Sequence, residues 1–257
     1  MTRQRSGSTA AFSRTAPDYA ATMAPALAPV AAEVVRRAAL RSNETVLDIG
    51  TGTGTAARLA LGSGRRVIGL DAAPGMLEIA RREAPGVELM EADFTRIPLG
   101  DGSVDAVICV HALLFATDRV AALREWLRVT ARGGRISLSV PGPGDVVPGA
   151  VFGEVYDHYD IEWSVDDYPL PPELEQWATD AGWIDVTADA DPTTTIPLAD
   201  EAAFWTWLRV ARTVSDWSSE RIEAYGRDLM AVTPRGADGS YRIPFGSIHL
   251  TARKSAS

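Results

Sequence analysis

The amino-acid sequence predicts an α/β domain built on a doubly wound parallel sheet, and three observations carry that prediction. Apolar, strand-like runs alternate with helical segments from Thr45 to Val140, the signature of βαβ units. The first strand-like run, Val46-Leu47-Asp48-Ile49, stops in Gly50-Thr51-Gly52-Thr53-Gly54 and is followed by a helical segment. A glycine turn between a strand and a helix N-terminus lets backbone N–H groups approach a ligand closely. Finally, Asp48, Asp71, Asp93 and His111 each fall at or just beyond the end of a strand. In such sheets ligands sit at the carboxyl ends of the strands, so these four should line one crevice.

The chain has 257 residues, 46% hydrophobic and 23% charged, which suits one large domain or one domain with a modest cap. Its net charge of −9 argues against a general nucleic-acid surface, because phosphate affinity needs clustered Lys and Arg. The one cysteine, Cys109, lies in an apolar run and reads as a buried small hydrophobe. That is consistent with a reducing, cytoplasmic setting. No apolar stretch of about 18 residues is present to span a membrane. Residues 1–16 lack an apolar core of the signal-peptide type and read as a mobile leader, with the domain proper over 17–257.

Taken in order, Asp18 to Leu40 read as helix interrupted by Pro25 and Pro29, each able to open a new helix. Val30, Val34, Val35 and Ala38 give it an apolar stripe. Thr45 to Ile49 form the first strand. After the glycine loop a helix runs to Leu61 and stops at Gly62. Arg66 to Leu70 form a second strand ending in Asp71, and Pro74 to Arg82 a helix with proline at its start. A third strand covers Val87 to Met90, and a fourth covers Val104 to Val110. Arg119 to Ala131 form a helix that Gly133-Gly134 end, and Arg135 to Val140 a fifth strand. Beyond Gly142 the pattern turns irregular: a helix at Pro171 to Ala181, a strand at Trp183 to Ala188, a helix capped by Asp200 and another at about Ser218 to Met230. Arg242 to Ala252 form a final strand, broken by Pro244 near its start. Helical material at about 17–40, 142–170 and 191–240 is expected to cap the sheet.

The glycine loop admits two cofactors. A dinucleotide fingerprint, G-x-G-x-x-G, would put its third glycine at position 55, which is Thr55. Asp71, 21 residues beyond Gly50, suits a ribose diol in either case. Asp48 separates the two: its carboxylate would repel a pyrophosphate and attract the ammonium and sulfonium of S-adenosylmethionine (SAM). An Asp48 that only hydrogen-bonds the loop backbone is the alternative.

With that preference, five stretches in order resemble the class I SAM-dependent methyltransferases, closest to the small-molecule, ubiquinone/menaquinone-type group. They are Val46 to Gly54; Val67 to Asp71 with Ala72 to Leu77; Glu91-Ala92-Asp93-Phe94; Ser103 to Phe115; and Leu123 to Ile136. The resemblance covers about Thr45 to Val140. It implies a Rossmann-like seven-stranded sheet with a reversed last strand, which agrees with the two late strands. It implies that Gly50, Thr51, Gly52 and Gly54 shape the loop around the methionine part and that Asp71 accepts both ribose hydroxyls, with Ala72 beside it. Met76 would pack on the adenine, Asp93 would accept from its amino group, and Ala92 and Phe94 would lie along the ring. Val110 and His111 would stand where cofactor and acceptor meet. Tyr19 resembles the tyrosine that many relatives place over the methionine end.

The expected reaction is transfer of a methyl group from SAM to the O, N or C of a small-molecule acceptor, by in-line displacement. For an O–H or N–H acceptor a general base helps, and histidine is the usual one near neutral pH. His111 is the first candidate, though a pocket-wall or structural role stays open. His158, in Tyr156-Asp157-His158-Tyr159-Asp160, is the second, with a solvated loop as the other reading; His249 reads as structural. Trp163, Phe204, Trp205, Trp207 and Trp217 in the later segments would suit an apolar or aromatic acceptor. A SAM-binding protein that does not methylate is the alternative function. An NAD-linked oxidoreductase is disfavoured by Asp48 and Thr55. A base-directed methyltransferase is disfavoured by His111-Ala112-Leu113-Leu114, where such relatives often carry an Asn/Asp-Pro-Pro-aromatic motif. No metal ligand set is assigned.

Overall fold

The computed structural model describes residues 9–62, 65–142, 148–161, 168–191, 195–210 and 217–257. Its centre is a seven-stranded sheet. The strands in chain order are β1 (Thr45–Ile49), β2 (Arg66–Asp71), β3 (Glu88–Glu91), β4 (Val104–Val110), β5 (Thr130–Pro141), β6 (Ile184–Asp191), β7 (Thr195–Leu198), β8 (Tyr241–Pro244) and β9 (Ser247–Arg253). Across the sheet they run β3-β2-β1-β4-β5-β9-β6, while β7 and β8 pair separately. β1 to β5 are mutually parallel; β9 is antiparallel to both neighbours and is the reversed last strand that was expected.

Period-2 alternation sends each strand's side chains to two faces. Leu47, Ile49, Val107, Cys109, Ile136 and Leu138 pack on one face against α5 (Arg119–Val129) and α7 (Pro171–Ala181). Val46, Val67 and Ile108 pack on the other against α2 (Met23–Arg37) and α3 (Thr55–Ala60). The indoles of Trp126 and Trp183 are buried on the first face, and each donates to a carbonyl, of Phe94 and of Leu123. Burying those N–H groups without partners would oppose folding. A smaller core joins α6 (Pro148–His158), α8 (Glu201–Val210), α9 (Ser219–Val232) and the β7–β8 pair through Phe152, Phe204, Leu208 and Tyr225.

Several boundaries differ from the expected ones, for local reasons. Residues 9–16 are not a leader: they begin α1 (Thr9–Ala21), whose Ala16 is buried with Met76 and Ile79 of α4 (Pro74–Glu83). Residues 1–8 and Trp163 lie outside the described residues. Neither Pro25 nor Pro29 opens a helix. The break comes at Thr22, whose hydroxyl donates back to the Asp18 carbonyl, and Pro29 sits inside α2. Gly133 and Gly134 do not end α5 but lie within β5. There the β4–β5 register shifts, and a side chain on Gly134 would come within 2.8 Å of the Asp105 carbonyl. Arg242 to Ala252 is not one strand. Tyr241 to Pro244 pairs with β7, and the main sheet resumes at Ser247.

Candidate active site

The order of strands reverses between β1 and β4, and the carboxyl ends of these strands open a crevice there. The glycine loop fills its base. Gly50, Gly52 and Gly54 all have positive φ (68°, 54° and 86°), backbone that favours glycine. A side chain on Gly50 would strike Ala112 Cβ at 2.4 Å, so this position also needs glycine for space. Gly54 is the N-cap of α3 and has no side chain to satisfy the helix's first N–H groups. Asp48 supplies what Gly54 lacks: its carboxylate accepts from the backbone N–H of Ala57 and, at 2.7 Å, from the Thr51 hydroxyl.

Asp48 is almost wholly buried, and burial pushes its carboxyl up to about 7 despite those two hydrogen bonds. It also lines a cavity, a cleft that is open to solvent. Gly50, Thr51, Gly52 and Val110 line the same cavity from the sheet side, and Tyr19 of α1 with Leu27 and Ala31 of α2 close it from above. Asp48 therefore both holds the loop and lines the cavity. Thr53, Leu27 and Ala31 were not singled out from sequence. The apolar stripe read at Val30 and Val34 continues one turn back through Leu27 and Ala31, which is the signal that could have found them.

Asp71 ends β2 across the loop. Its Oδ2 accepts from the Gly52 N–H at 2.9 Å and its Oδ1 from the Ala73 N–H at 2.8 Å, and the Ala72 N–H is bonded to it as well. These bonds fix the carboxylate's direction, while burial raises its pKa against them. The Tyr19 hydroxyl is pushed up to about 12 by burial and by the nearby Asp71 carboxylate. Asp48, Asp71, Tyr19 and the loop glycines thus converge.

The residues expected at an adenine lie outside the lining of that cavity. Met76 is buried in the α1–α4 contact with Ala16, and Phe12 and Tyr19 pack around them. Asp93 is exposed and closes its own turn, its Oδ1 accepting from the Thr95 N–H and hydroxyl at 2.8 and 2.7 Å. Phe94 packs edge-on against Trp126, and Ala92 borders the same core. His158 is exposed at the end of α6, packed edge-on to Tyr159, and is not brought to the cavity. Helix α6 carries it outward with the cap, so it does not join His111.

His111 leaves β4 with φ of 55° and is buried beside the cavity wall at Val110. Its Nε2 lies 3.0 Å from Ser247 Oγ, and its ring lies 5.3 Å from that of Phe245. Burial, with a smaller effect from His249, lowers its pKa to about 3, so the imidazole is neutral at physiological pH.

Residues 47–138 match a family model described as a methyltransferase domain. The demethylmenaquinone methyltransferase of Renibacterium salmoninarum is 30% identical over 56% of this chain and 68% of that protein. The chain belongs to the class I SAM-dependent methyltransferases. The enzyme of the same name from Paenarthrobacter aurescens is also 30% identical, over 58% of this methyltransferase-family chain. That match spans 65% of the relative, just under two thirds of its length. A solved Haemonchus contortus phosphoethanolamine N-methyltransferase 2, in complex with SAM, superposes with a TM-score of 0.57 at 18% identity. The superposition covers 88% of this chain and 52% of that one, and its seven-stranded fold is shared. SAM is the cofactor of the family. The site fits it: the cradle admits close backbone approach at three positive-φ glycines, and the buried acids match a cationic, diol-bearing ligand.

Proposed function

We propose that this protein transfers a methyl group from SAM to a small-molecule acceptor. The observation that carries the reading is a cavity at the strand switch point lined by Asp48, Tyr19 and the glycine loop, with Asp71 hydrogen-bonded to that loop at the Gly52 N–H. Gly50, Thr51 and Gly52 hold the methionine part, and Asp48 faces its ammonium, directly or through water. Asp71 accepts from both ribose hydroxyls, using the lone pairs that Gly52 and Ala73 leave. Asp93, whose turn occupies only Oδ1, accepts from the adenine amino group with Oδ2, beside Ala92 and Phe94 at the end of β3; Met76 serves from the α1–α4 contact behind Tyr19.

Bound SAM supplies a methyl carbon attached to a positively charged sulfur. The protein holds the acceptor atom in line with that carbon and excludes water. α1 and α2 do the excluding: Tyr19, Leu27 and Ala31 roof the cavity. For an acceptor bearing O–H, His111 accepts a hydrogen bond from that hydroxyl at Nδ1 when Nε2 carries hydrogen and donates to Ser247 Oγ; with its pKa lowered to about 3 it orients the hydroxyl and is a weak base. The relatives' names, which specify a demethylmenaquinone, favour an apolar ring system as acceptor. We propose a cytoplasmic setting, which the buried, unpaired Cys109 supports; no described helix is long and apolar enough to cross a membrane.

The test is incubation of metabolite extracts with methyl-labelled SAM. One or more labelled small molecules should appear with wild type and vanish with Asp71→Ala. Tight SAM binding with no labelled product from any extract would instead support the SAM-binding, non-transferring alternative. NAD binding without SAM binding would sink both.

A further inference from the structure

Where β4 ends, the chain bends sharply into a short 3-10 turn at Leu113–Phe115, and the bend leans on the glycine loop. His111 starts it with φ of 55°, a left-handed backbone that is costly for residues with a side chain, least so for Asn, Asp and His. Of the five non-glycine residues with positive φ among the described residues, His111 alone is buried; Ala39, Asn43, Asp160 and Asp185 are exposed. Three contacts hold the bend. The His111 N–H donates to the Ser139 carbonyl at 2.9 Å, and the Cys109 sulfur accepts from the N–H groups of Ala112 and Leu113. The third is the ring, whose Nε2 lies 3.0 Å from Ser247 Oγ at the start of β9. The result is that Ala112 sits on Gly50, where an added Cβ would come within 2.4 Å of Ala112 Cβ. Gly50, Thr51 and Gly52 line the cavity, and so does Val110, the residue before His111. Strained backbone persists only where the surrounding structure over-determines it, and it gathers where function uses it.

We propose that His111 is a positioning residue for the cofactor loop: its left-handed backbone, pinned through Ser247, seats Ala112 on Gly50 and so fixes the loop that holds the methionine part of SAM. The inference rests on the SAM-binding reading of that loop and needs no contact between the imidazole and the cofactor. It is separate from the hydrogen bond at Nδ1, because here the main chain does the work. Glycine at this position would permit the bend without holding it. Histidine tolerates the bend and carries a ring that reaches the reversed strand.

The test is calorimetric titration of the full chain with S-adenosylhomocysteine, using variants that differ in their tolerance of positive φ. His111→Asn and His111→Gly should keep affinity within about threefold, the share of the lost Ser247 contact. His111→Ala should lose about fivefold and His111→Val about tenfold or more, since each must recover the left-handed bend as the ligand binds. Ala112→Gly removes the Cβ that meets Gly50, so in that background His111→Ala should cost less than about twofold further. Should His111→Val fail to fold, the Asn and Ala variants decide the matter, because both lack the imidazole. Equal losses in all the His111 variants would mean that the imidazole itself meets the cofactor, and would overturn the proposal. Unchanged affinity in all of them with a lowered Tm would make the bend structural only, and the full loss persisting in the Ala112→Gly background would cut the link through Ala112; either result overturns it too. Failure of wild type to bind S-adenosylhomocysteine would strike the SAM reading itself, and the proposal with it.

Discussion

The two ends of the cofactor groove are built differently. At the methionine and ribose end, Asp48 is buried and Asp71 partly buried, each is held by backbone N–H groups, and Asp71 lies near Tyr19. At the adenine end, Asp93 is exposed in its own turn, and Met76 and Phe94 are absorbed into neighbouring cores. Orientation fixed in advance strengthens an interaction, because less is lost on ordering it. Binding energy and pH dependence should therefore concentrate at the first end.

The largest effect is expected at Asp71. Asp71→Ala removes two charge-assisted hydrogen bonds to the ribose and releases the Gly52 N–H as well. At about 1.5–3 kcal/mol per bond, SAM affinity should fall by roughly a hundredfold or more. Calorimetry reads this directly; a loss of under tenfold would mean that the ribose is held elsewhere.

Asp48 should have the next largest effect, and its signature is pH. Burial raises its carboxyl to about 7, so in the empty protein a large fraction is protonated at neutrality. SAM's positive charges favour the carboxylate form. SAM affinity should therefore climb by up to about tenfold per pH unit below 7 and flatten above it. His111, at about 3, stays neutral through that window and adds no slope. Asp48→Asn should abolish the climb. Stability of the empty protein moves the opposite way. The folded pKa exceeds the ordinary 3.8, so this contribution is complete below 3.8 and is lost as pH rises through 7. Melting curves from pH 5 to 8 should show a fall in wild type that Asp48→Asn lacks. Equal slopes in the two proteins would overturn the assignment.

What could be read from sequence follows the same division. The alternation of strands and helices and the glycine loop were legible because each strand, turn and helix N-terminus carries its own local chemistry: apolar runs, positive-φ glycines, a proline at the start of α4. Asp48 and Asp71 were legible because a carboxylate at a strand end is placed by the strand. The cap was not. The β7–β8 pair is a contact between distant short segments, and Arg242 to Ala252 reads as continuous because nothing at Gly246 marks the change of sheet. α1 was missed because its reasons are tertiary: Ser13 packs on Gly75, where any side chain would come within 2.5 Å of the Ser13 carbonyl, and Phe12 meets Phe115 edge-on.

The smallest effect is expected at Asp93, and it tests the comparison most sharply. Its carboxylate is exposed, so a hydrogen bond from Oδ2 to an adenine amino group would compete with water and be worth about 0.5–1.5 kcal/mol. Asp93→Ala also removes the two bonds to Thr95, which loosens the turn after β3 without touching the sheet. SAM affinity should fall by no more than about tenfold, with no change in its pH dependence. A loss as large as that of Asp71→Ala would mean that the adenine end is ordered by the ligand into a second rigid anchor. The groove would then be asymmetric only before binding, because Asp93 would have left solvent for a site in which its charge is worth as much as the buried one's.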